Sequence, residues 1–399
     1  MAATSILLSG YKGIRNNKPP EMLAPDELVA GVNIDLDNSN QPLRRQGYVR
    51  KLVQTAPHSG FGSKDETTFL FVQGSSLKSL DPAMTSATTL RSDLAAGLPM
   101  SYWEHAGRIY FTNGVQTGIV DAAGARTWGL EVPGVVSLSS ATGMLPEGRY
   151  KVACTFVALD GQESGAPEST VIDVTHGGIT VSLPTSTDPR VVEVVVYCSN
   201  ANGAQLYEAG RYAHGTATAV IAGDQNALQR PLLTQFMGPA PAGQLTFYYR
   251  GRMYVARDNL LFFSSAFGLE LFSPTDFLAF PDVITIGAPV DDGFYVGMPT
   301  ESVWISGISP ETFVQSSRQG WGAIPGTLVY YPFGRVSGEE DEIRAPMWLS
   351  AQGIVTGSPG GTLNNVTDKW NFTPPSRGAG LFRRQSGGLY QYIVTFTGA

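Results

Sequence analysis

Apolar positions in this chain come in short runs, each closed by Gly, Asn, Asp or Pro, and amphipathic stretches of helical length are scarce. ETTFLFVQGSSLKSLD (66–81), DGFYVGMPTESVWISG (292–307), APMWLSAQGIVTGSPGG (345–361) and QSGGLYQYIVTFTG (385–398) share a strand-then-turn character. Their β-branched and aromatic residues suit a pleated backbone, and the turn residues release it. In the second run, FYVGM goes out, PTES crosses and VWISG returns. GRIYFTNG (107–114) and GRMYVARDN (251–259) repeat one phrase: Gly-Arg, an apolar residue, Tyr, two more strand residues and a turn. Spaced hairpins of this kind predict a β-propeller or related radial architecture, in which each four-stranded blade buries its faces only by stacking on neighbours. Unrelated hairpins in a sandwich are the alternative. Helix signals are confined to APDELVA (24–30) and TLRSDLAAGL (89–98), a turn or two each, too short for a stable amphipathic element.

The middle of the chain reads as a separate module. RYKVACTFVAL is strand-like, DGQESGAPES is a turn-rich loop, and VVEVVVYCS is nearly continuous apolar sequence, as in a strand covered on both faces. Strands every 8–12 residues over about ninety residues suit a small β-sandwich of immunoglobulin or fibronectin type III shape. The phrase from Asp160 to Ser164 resembles fibronectin type III modules of viral tail and surface proteins. The expected organisation is therefore all-β: an N-terminal hairpin and first part of a propeller (1–132), an inserted sandwich (133–222), a return linker (223–243) and the remainder of the propeller (244–399). TQFMGPAPAG (234–243) supplies the linker's prolines and glycines. The sandwich is expected to face outward from the propeller rim. A closed propeller also needs its ends joined, and the C-terminal YQYIVTFTG is expected to pair with an N-terminal strand such as GVNIDL.

Composition fits this picture. Only 15% of residues are charged, 10% are aromatic, and 46 Gly and 26 Pro supply turns, which excludes a disordered chain. The net charge of −7 with no basic tract disfavours unspecific clamping of nucleic acid; an acidic surface would let DNA slide past. Cys154 and Cys198 are too few for a disulfide framework and read as buried free thiols. MAATSILLSGYKG lacks the charged region of a signal peptide, and no stretch approaches about 18 consecutive apolar residues. Neither secretion by the general route nor a membrane-spanning helix is expected.

Candidate chemistry is sparse. His58, His105, His176 and His214 are isolated in sequence, so zinc is not expected. Nucleophile-elbow, phosphate-loop and dinucleotide motifs are missing from the sequence, and no cofactor is expected. GSPGG (357–361) and AGDQN (222–226) read as loop tips, Asp291-Asp292 as a hairpin turn, and GEEDE (338–342) as a solvated loop. A glycosidase needs two carboxylates across a cleft, which sequence does not place; a sialidase-type Asp-box is missing. The sequons at Asn365 and Asn371 mean little without secretion. Asp35, Asp37, Ser39 and Gln41 stand at positions 1, 3, 5 and 7 of a calcium-loop pattern, but Asn40 replaces the glycine and Gln46 the bidentate glutamate. The simpler reading is a hairpin: GVNIDLD out, NSNQ as the turn, PLRRQGYVRKL back.

NIDLDNSNQPLRRQGY (33–48) resembles the N-terminal phrase of the tail nozzle or tail hub proteins of short-tailed bacteriophages, also called head-stabilising accessory factors. It departs from that phrase at Asn40, where Gly is usual, and Gln46, where Pro is common. GRMYVARDNLLFFSS (251–265) and FPDVITIGAPVDDGFYVG (280–297) resemble blade phrases of the same family. The resemblance implies a non-catalytic virion protein. Such proteins form a hexameric ring below the portal and adaptor, dock spikes or fibres, and hold back or conduct the genome. Arg44, Arg45, Arg50 and Lys51 then become candidate contacts to DNA or to a neighbouring subunit. Adjacent strand residues point to opposite faces, so Arg44 and Arg45 do not share one partner. Arg383-Arg384 raises the same question, and ordinary exposed or paired arginines are the alternative for all of these. Two other readings stay open. One is a carbohydrate-active or carbohydrate-binding propeller that uses exposed aromatics such as Trp304, Trp321 or Trp348. The other is a different tail or baseplate component.

Overall fold

A computed structural model describes residues 10–37, 39–45, 47, 49–223, 229–335, 342–367, 370–384 and 390–397. The protein is all-β; among the described residues the helical segments are single 3-10 turns at Pro20–Met22, Pro310–Thr312 and Pro359–Gly361. A small N-terminal hairpin, β1 (Ile34–Leu36) and β2 (Pro42–Arg44), precedes two four-stranded sheets. Blade 1 is β3 (His58–Gly62), β4 (Phe69–Gln73), β5 (Ser76–Leu80) and β6 (Ala87–Arg91). Blade 2 is β7 (Ser101–His105), β8 (Arg108–Thr112), β9 (Thr117–Asp121) and β10 (Gly124–Arg126).

The chain then leaves for a two-sheet sandwich. Its strands are β11 (Leu138–Leu145), β12 (Gly148–Ala158), β13 (Thr170–Val174), β14 (Gly177–Ser182), β15 (Val191–Ser199), β16 (Leu206–Ala213) and β17 (Thr218–Ile221). One sheet has the order β11-β14-β17, the other β13-β12-β15-β16. All seven strands fall within residues 133–222.

Three more blades follow. Blade 3 is β18 (Leu245–Tyr249), β19 (Arg252–Arg257), β20 (Leu260–Ser264) and β21 (Phe272–Ala279). Blade 4 is β22 (Ile286–Val290), β23 (Gly293–Gly297), β24 (Glu301–Ser306) and β25 (Val314–Gln319). Blade 5 is β26 (Val329–Arg335), β27 (Glu342–Ser350), β28 (Gly353–Gly357) and β29 (Leu363–Asn365). A last unit has two strands, β30 (Arg377–Arg384) and β31 (Tyr390–Thr397).

Every blade is an antiparallel meander in chain order. Burial explains why. The middle strands are apolar on both faces: β8, β19, β20 and β23 are almost wholly buried, because a neighbouring blade covers each side. Tyr110, Val255, Phe262 and Phe272 fill the space between blades 2 and 3. Phe247, Tyr254, Phe294 and Ile305 do the same between blades 3 and 4. A separate core, with Tyr150, Phe156, Val194 and Val196, lies inside the sandwich.

The repeated Gly-Arg phrase has a backbone cause. Ala106-Gly107 have φ of 49° and 72°, and Arg250-Gly251 have φ of 40° and 79°. Two successive positive φ values make the tight hairpin turn that matches strand twist. Each phrase thus starts the second strand of its blade.

Three expectations are corrected. Neither helix signal forms a helix: residues 24–30 are a loop bridged to Ile14 through Leu28. Of residues 89–98, the first three finish β6, and Leu94 in the following loop is buried in the core of blades 1 and 2. That burial outweighs the propensity of a window too short to nucleate a helix. The N-terminal hairpin strands are only three residues each, because Asn33 at φ 54° turns the backbone out of the strand. The proposed closure between the C-terminal strand and GVNIDL is not made: β31 pairs with β30, and β1 pairs with β2.

Candidate functional site

The first strands β3, β7, β18, β22, β26 and β30 all line one central cavity of about 1770 Å³. Trp103, Tyr248, Tyr249 and Tyr330 give it aromatic walls, and Lys64, Arg250, Arg344 and Arg377 outnumber Glu104 and Asp291. The lining is therefore cationic in a chain of net charge −7. Glu104 is engaged by the Lys64 backbone N–H at 2.8 Å. Tyr330 donates to the Pro289 carbonyl at 3.1 Å, and burial raises its pKa. Tyr102 is likewise raised by burial, and its hydroxyl is buried without a hydrogen-bond partner, as is that of Thr285. Desolvation lowers the pKa of Arg377. His105 at the end of β7 stacks on Tyr248 with ring centroids 3.7 Å apart. Its pKa is lowered by desolvation and then by the Lys64 charge.

The four cations singled out in the sequence are elsewhere, on the N-terminal arm, and none lines this cavity. Arg44 sits opposite Ile34 in the hairpin and is exposed. Arg45 donates through Nε to Asp35 at 3.0 Å, and its backbone N–H donates to Asn33 O at 2.8 Å. Arg50 folds back on its own backbone, donating to Gln54 O at 3.0 Å. Lys51 is exposed. Asp37 Oδ1 accepts the N–H groups of Ser39 and Gln41, each at 2.8 Å. That carboxylate closes an Asx turn, and Asn40 takes φ 59°, a left-handed value that asparagine tolerates. Gln46 lies outside the described residues. Arg383 donates twice to Gln391 Oε1, at 3.0 and 2.8 Å.

Other candidates resolve into packing. Trp348 and Trp304 are buried in the core of blades 4 and 5, and Trp321 packs against them. Asp292 Oδ2 accepts the Gly360 N–H at 2.8 Å, which ties the blade 4 turn to the 357–361 loop; most of 338–342 lies outside the described residues. His214 Nε2 accepts the Ser186 N–H at 3.0 Å, and His58 Nδ1 bonds Ser59 Oγ at 2.9 Å. Among the described residues no three His, Cys, Asp or Glu side chains cluster to hold a metal ion. Cys154 and Cys198 are buried thiols outside any disulfide; burial pushes the Cys154 thiol up to about 12. No helix among the described residues is long and apolar enough to cross a membrane.

Sequence reasoning missed two ionic networks. Glu163 of the Asp160–Ser164 phrase accepts hydroxyl bonds from Thr155 and Tyr197, both at 2.6 Å, and pairs with Arg230 at 2.6 Å. Arg230 also donates to the Tyr197 hydroxyl and to Glu208 at 3.0 Å, which holds Arg211 at 2.8 Å. Glu270, nearly buried, holds Arg108 at 2.9 Å and Arg126 at 3.1 Å. These partners lie up to 162 residues apart, so no local spacing announces them.

Strand order and cavity together define a β-propeller-like protein carrying an inserted β-sandwich. No family model matches the chain, and no curated protein matches it. Among solved structures it is similar to a streptogramin B lyase, with TM-score 0.33 and 12% identity over 84% of this chain and 89% of that one. It is also similar to BBS1N in complex with ARL6DN, with TM-score 0.30 and 11% identity over 86% and 93% of the two chains. A third similarity is to apo AztD from Citrobacter koseri, with TM-score 0.27 and 11% identity over 79% and 86%. These are likenesses of general shape, and the blade assignment rests on the strand pairing.

Proposed function

We propose that this protein is a structural component of a short phage tail, the nozzle or hub ring that continues the DNA channel below the portal and adaptor and docks spikes or fibres. The observation that carries the reading is the Asn33–Arg45 hairpin. Its Asx-closed acidic turn and exposed Arg-bearing return strand carry the family phrase, and it stands on an arm outside the blades. Such an arm offers cations to a neighbour or to passing DNA without disturbing the propeller core. The inserted module, of fibronectin type III kind in this reading, supplies a surface for spikes. The protein then resides in the virion, assembled in the host cytoplasm as a hexameric ring, and performs no catalysis.

The test is the mass of the purified protein in solution by light scattering, alone and mixed with portal and adaptor. A hexamer-sized ring, or assembly only on that template, supports the reading. A stable monomer indifferent to both overturns it. A carbohydrate-binding propeller is the second reading, favoured by the aromatic, cation-bearing cavity. Glycan-array binding lost on Tyr248→Ala or Tyr249→Ala would support it.

A further inference from the structure

Among the described residues, β30–β31 amounts to half a blade. Blades 1 to 5 have four strands each; β30–β31 has two. The direction of its open edge can be read from hydrogen bonds. The N–H groups of Gly378 and Gly380 point away from β31, donating to Pro325 O at 3.0 Å and Gly326 O at 2.9 Å. Residues 377, 379, 381 and 383 therefore exchange the ladder bonds with 397, 395, 393 and 391. Tyr392, Val394 and Phe396 turn their N–H and C=O groups to the outer edge.

That edge is eight residues long, YQYIVTFT, with no charge and no proline, and its register with β30 is unbroken. Sheets normally blunt such an edge with charge, proline or a bulge, or cover it, because it templates another strand. Phe396 is 46% exposed beside it and stacks on Phe372, which stacks on Trp370. The unit has an apolar ledge as well as an open ladder.

Among the described residues, the same chain carries an unaccompanied two-stranded element, β1–β2. Ile34 is 39% and Leu43 53% exposed on it, and a lone hairpin is marginal in water. Within the chain, Asn16 bonds the Asn371 backbone in both directions, at 2.8 and 2.6 Å. The arm thus begins beside the incomplete unit, yet its hairpin pairs only with itself among the described residues.

We infer that the β1–β2 hairpin of a second copy adds to the β31 edge, so that two strands from each copy complete a four-stranded sixth blade. Leu43, on the hairpin face opposite Ile34, then covers the Phe396 ledge. The contact is heterologous, because every copy has one hairpin to give and one edge to receive, so it closes into a ring or propagates as a chain. The inference rests on the ring reading above only for closure.

The experiment is hydrogen exchange by mass spectrometry on the full chain over a dilution series, with light scattering on the same samples. Amides in 34–44 and 390–397 are expected to slow together, tenfold or more, as concentration rises. Val394→Pro, which removes a donor aimed outward, is expected to abolish both effects and give monomers. Leu43→Asp is a second variant acting from the other partner. Slowing of 390–397 without 34–44 means that another strand, such as β31 of a second copy, occupies the edge, and overturns the inference. Slowing of both at every concentration means self-closure within one chain and also overturns it, as does fast exchange in both. Concentration-dependent slowing of both segments in a dimer or open filament keeps the inference and removes the ring.

Discussion

Thr112 and Gly243, 131 residues apart, exchange two hydrogen bonds: the Thr112 hydroxyl donates to Gly243 O at 2.6 Å and accepts the Gly243 N–H at 3.0 Å. The Gly114 N–H adds a third contact to the same carbonyl at 2.7 Å. Thr112 ends β8, the second strand of blade 2, and Gly243 precedes β18, the first strand of blade 3, so the pair ties these two blades together across the insertion. Glycine is required there, because a Cβ would sit 2.1 Å from Ala256 O.

Thr112→Val keeps the shape and leaves the Gly243 N–H without its acceptor. A buried donor left unsatisfied costs about 1–3 kcal/mol. The unfolding free energy is expected to fall by that amount, read as a lower urea midpoint at unchanged slope. Gly243→Ala, which forces backbone apart, is expected to lose about 3 kcal/mol.

Gly165 makes a comparable approach on the sandwich side. A Cβ there would meet Met237 O at 1.7 Å, beside the parallel bridge between Ala166 and Gln235. Gly165→Ala is expected to detach the 229–243 segment from the sandwich. Limited proteolysis would then cut that segment, while the wild type resists.

Arg230 is expected to matter more for the sandwich edge than an ordinary surface arginine. Its partner Glu163 is only 14% exposed in its side chain and also accepts two hydroxyl bonds. Arg230→Met leaves that carboxylate without its cation, at a cost of about 1–2 kcal/mol after screening at the half-exposed arginine. Arg45→Met, on the exposed arm, is expected to shift stability by less than about 0.5 kcal/mol. Chemical denaturation of both variants checks the contrast, and any loss of assembly by the Arg45 variant is then not a folding defect.

His105 confers a pH dependence of defined sign. Desolvation, aided by Lys64, holds its folded pKa below the usual value of 6.5. The unfolded chain therefore takes up the proton first, and stability falls as pH drops from about 6.5 toward the folded pKa. His105→Phe keeps a ring on Tyr248 and is expected to lose this slope. An NMR titration of the imidazole should give a midpoint below 6.5.

Cys154, with its thiol pushed up to about 12 by burial, should resist alkylation at pH 8 in the native protein and react in denaturant. Native labelling would contradict its burial on β12 in the sandwich core.

Much of the architecture is written locally. GRIYFTNG and GRMYVARDN mark equivalent hairpins because their turns need two successive positive φ values, which the residue pairs before the strands accept. VVEVVVYCS is nearly continuous apolar sequence because β15 from Val194 onward is covered on both faces. The hairpin at Asp35–Arg45 is legible because Asp37 closes it with its own carboxylate. Period-two patterning and turn chemistry are properties of adjacent residues, so sequence alone determines strands, hairpins, the all-β class and the separate middle module. Tertiary structure alone decides the rest. It brings first strands from six units around one cavity, pairs Glu163 with Arg230 and Glu270 with Arg108, and leaves β31 with an open edge where sequence suggested closure with β1. Those outcomes depend on which distant surfaces meet once loop-closure entropy is overcome, and no spacing along the chain encodes that choice.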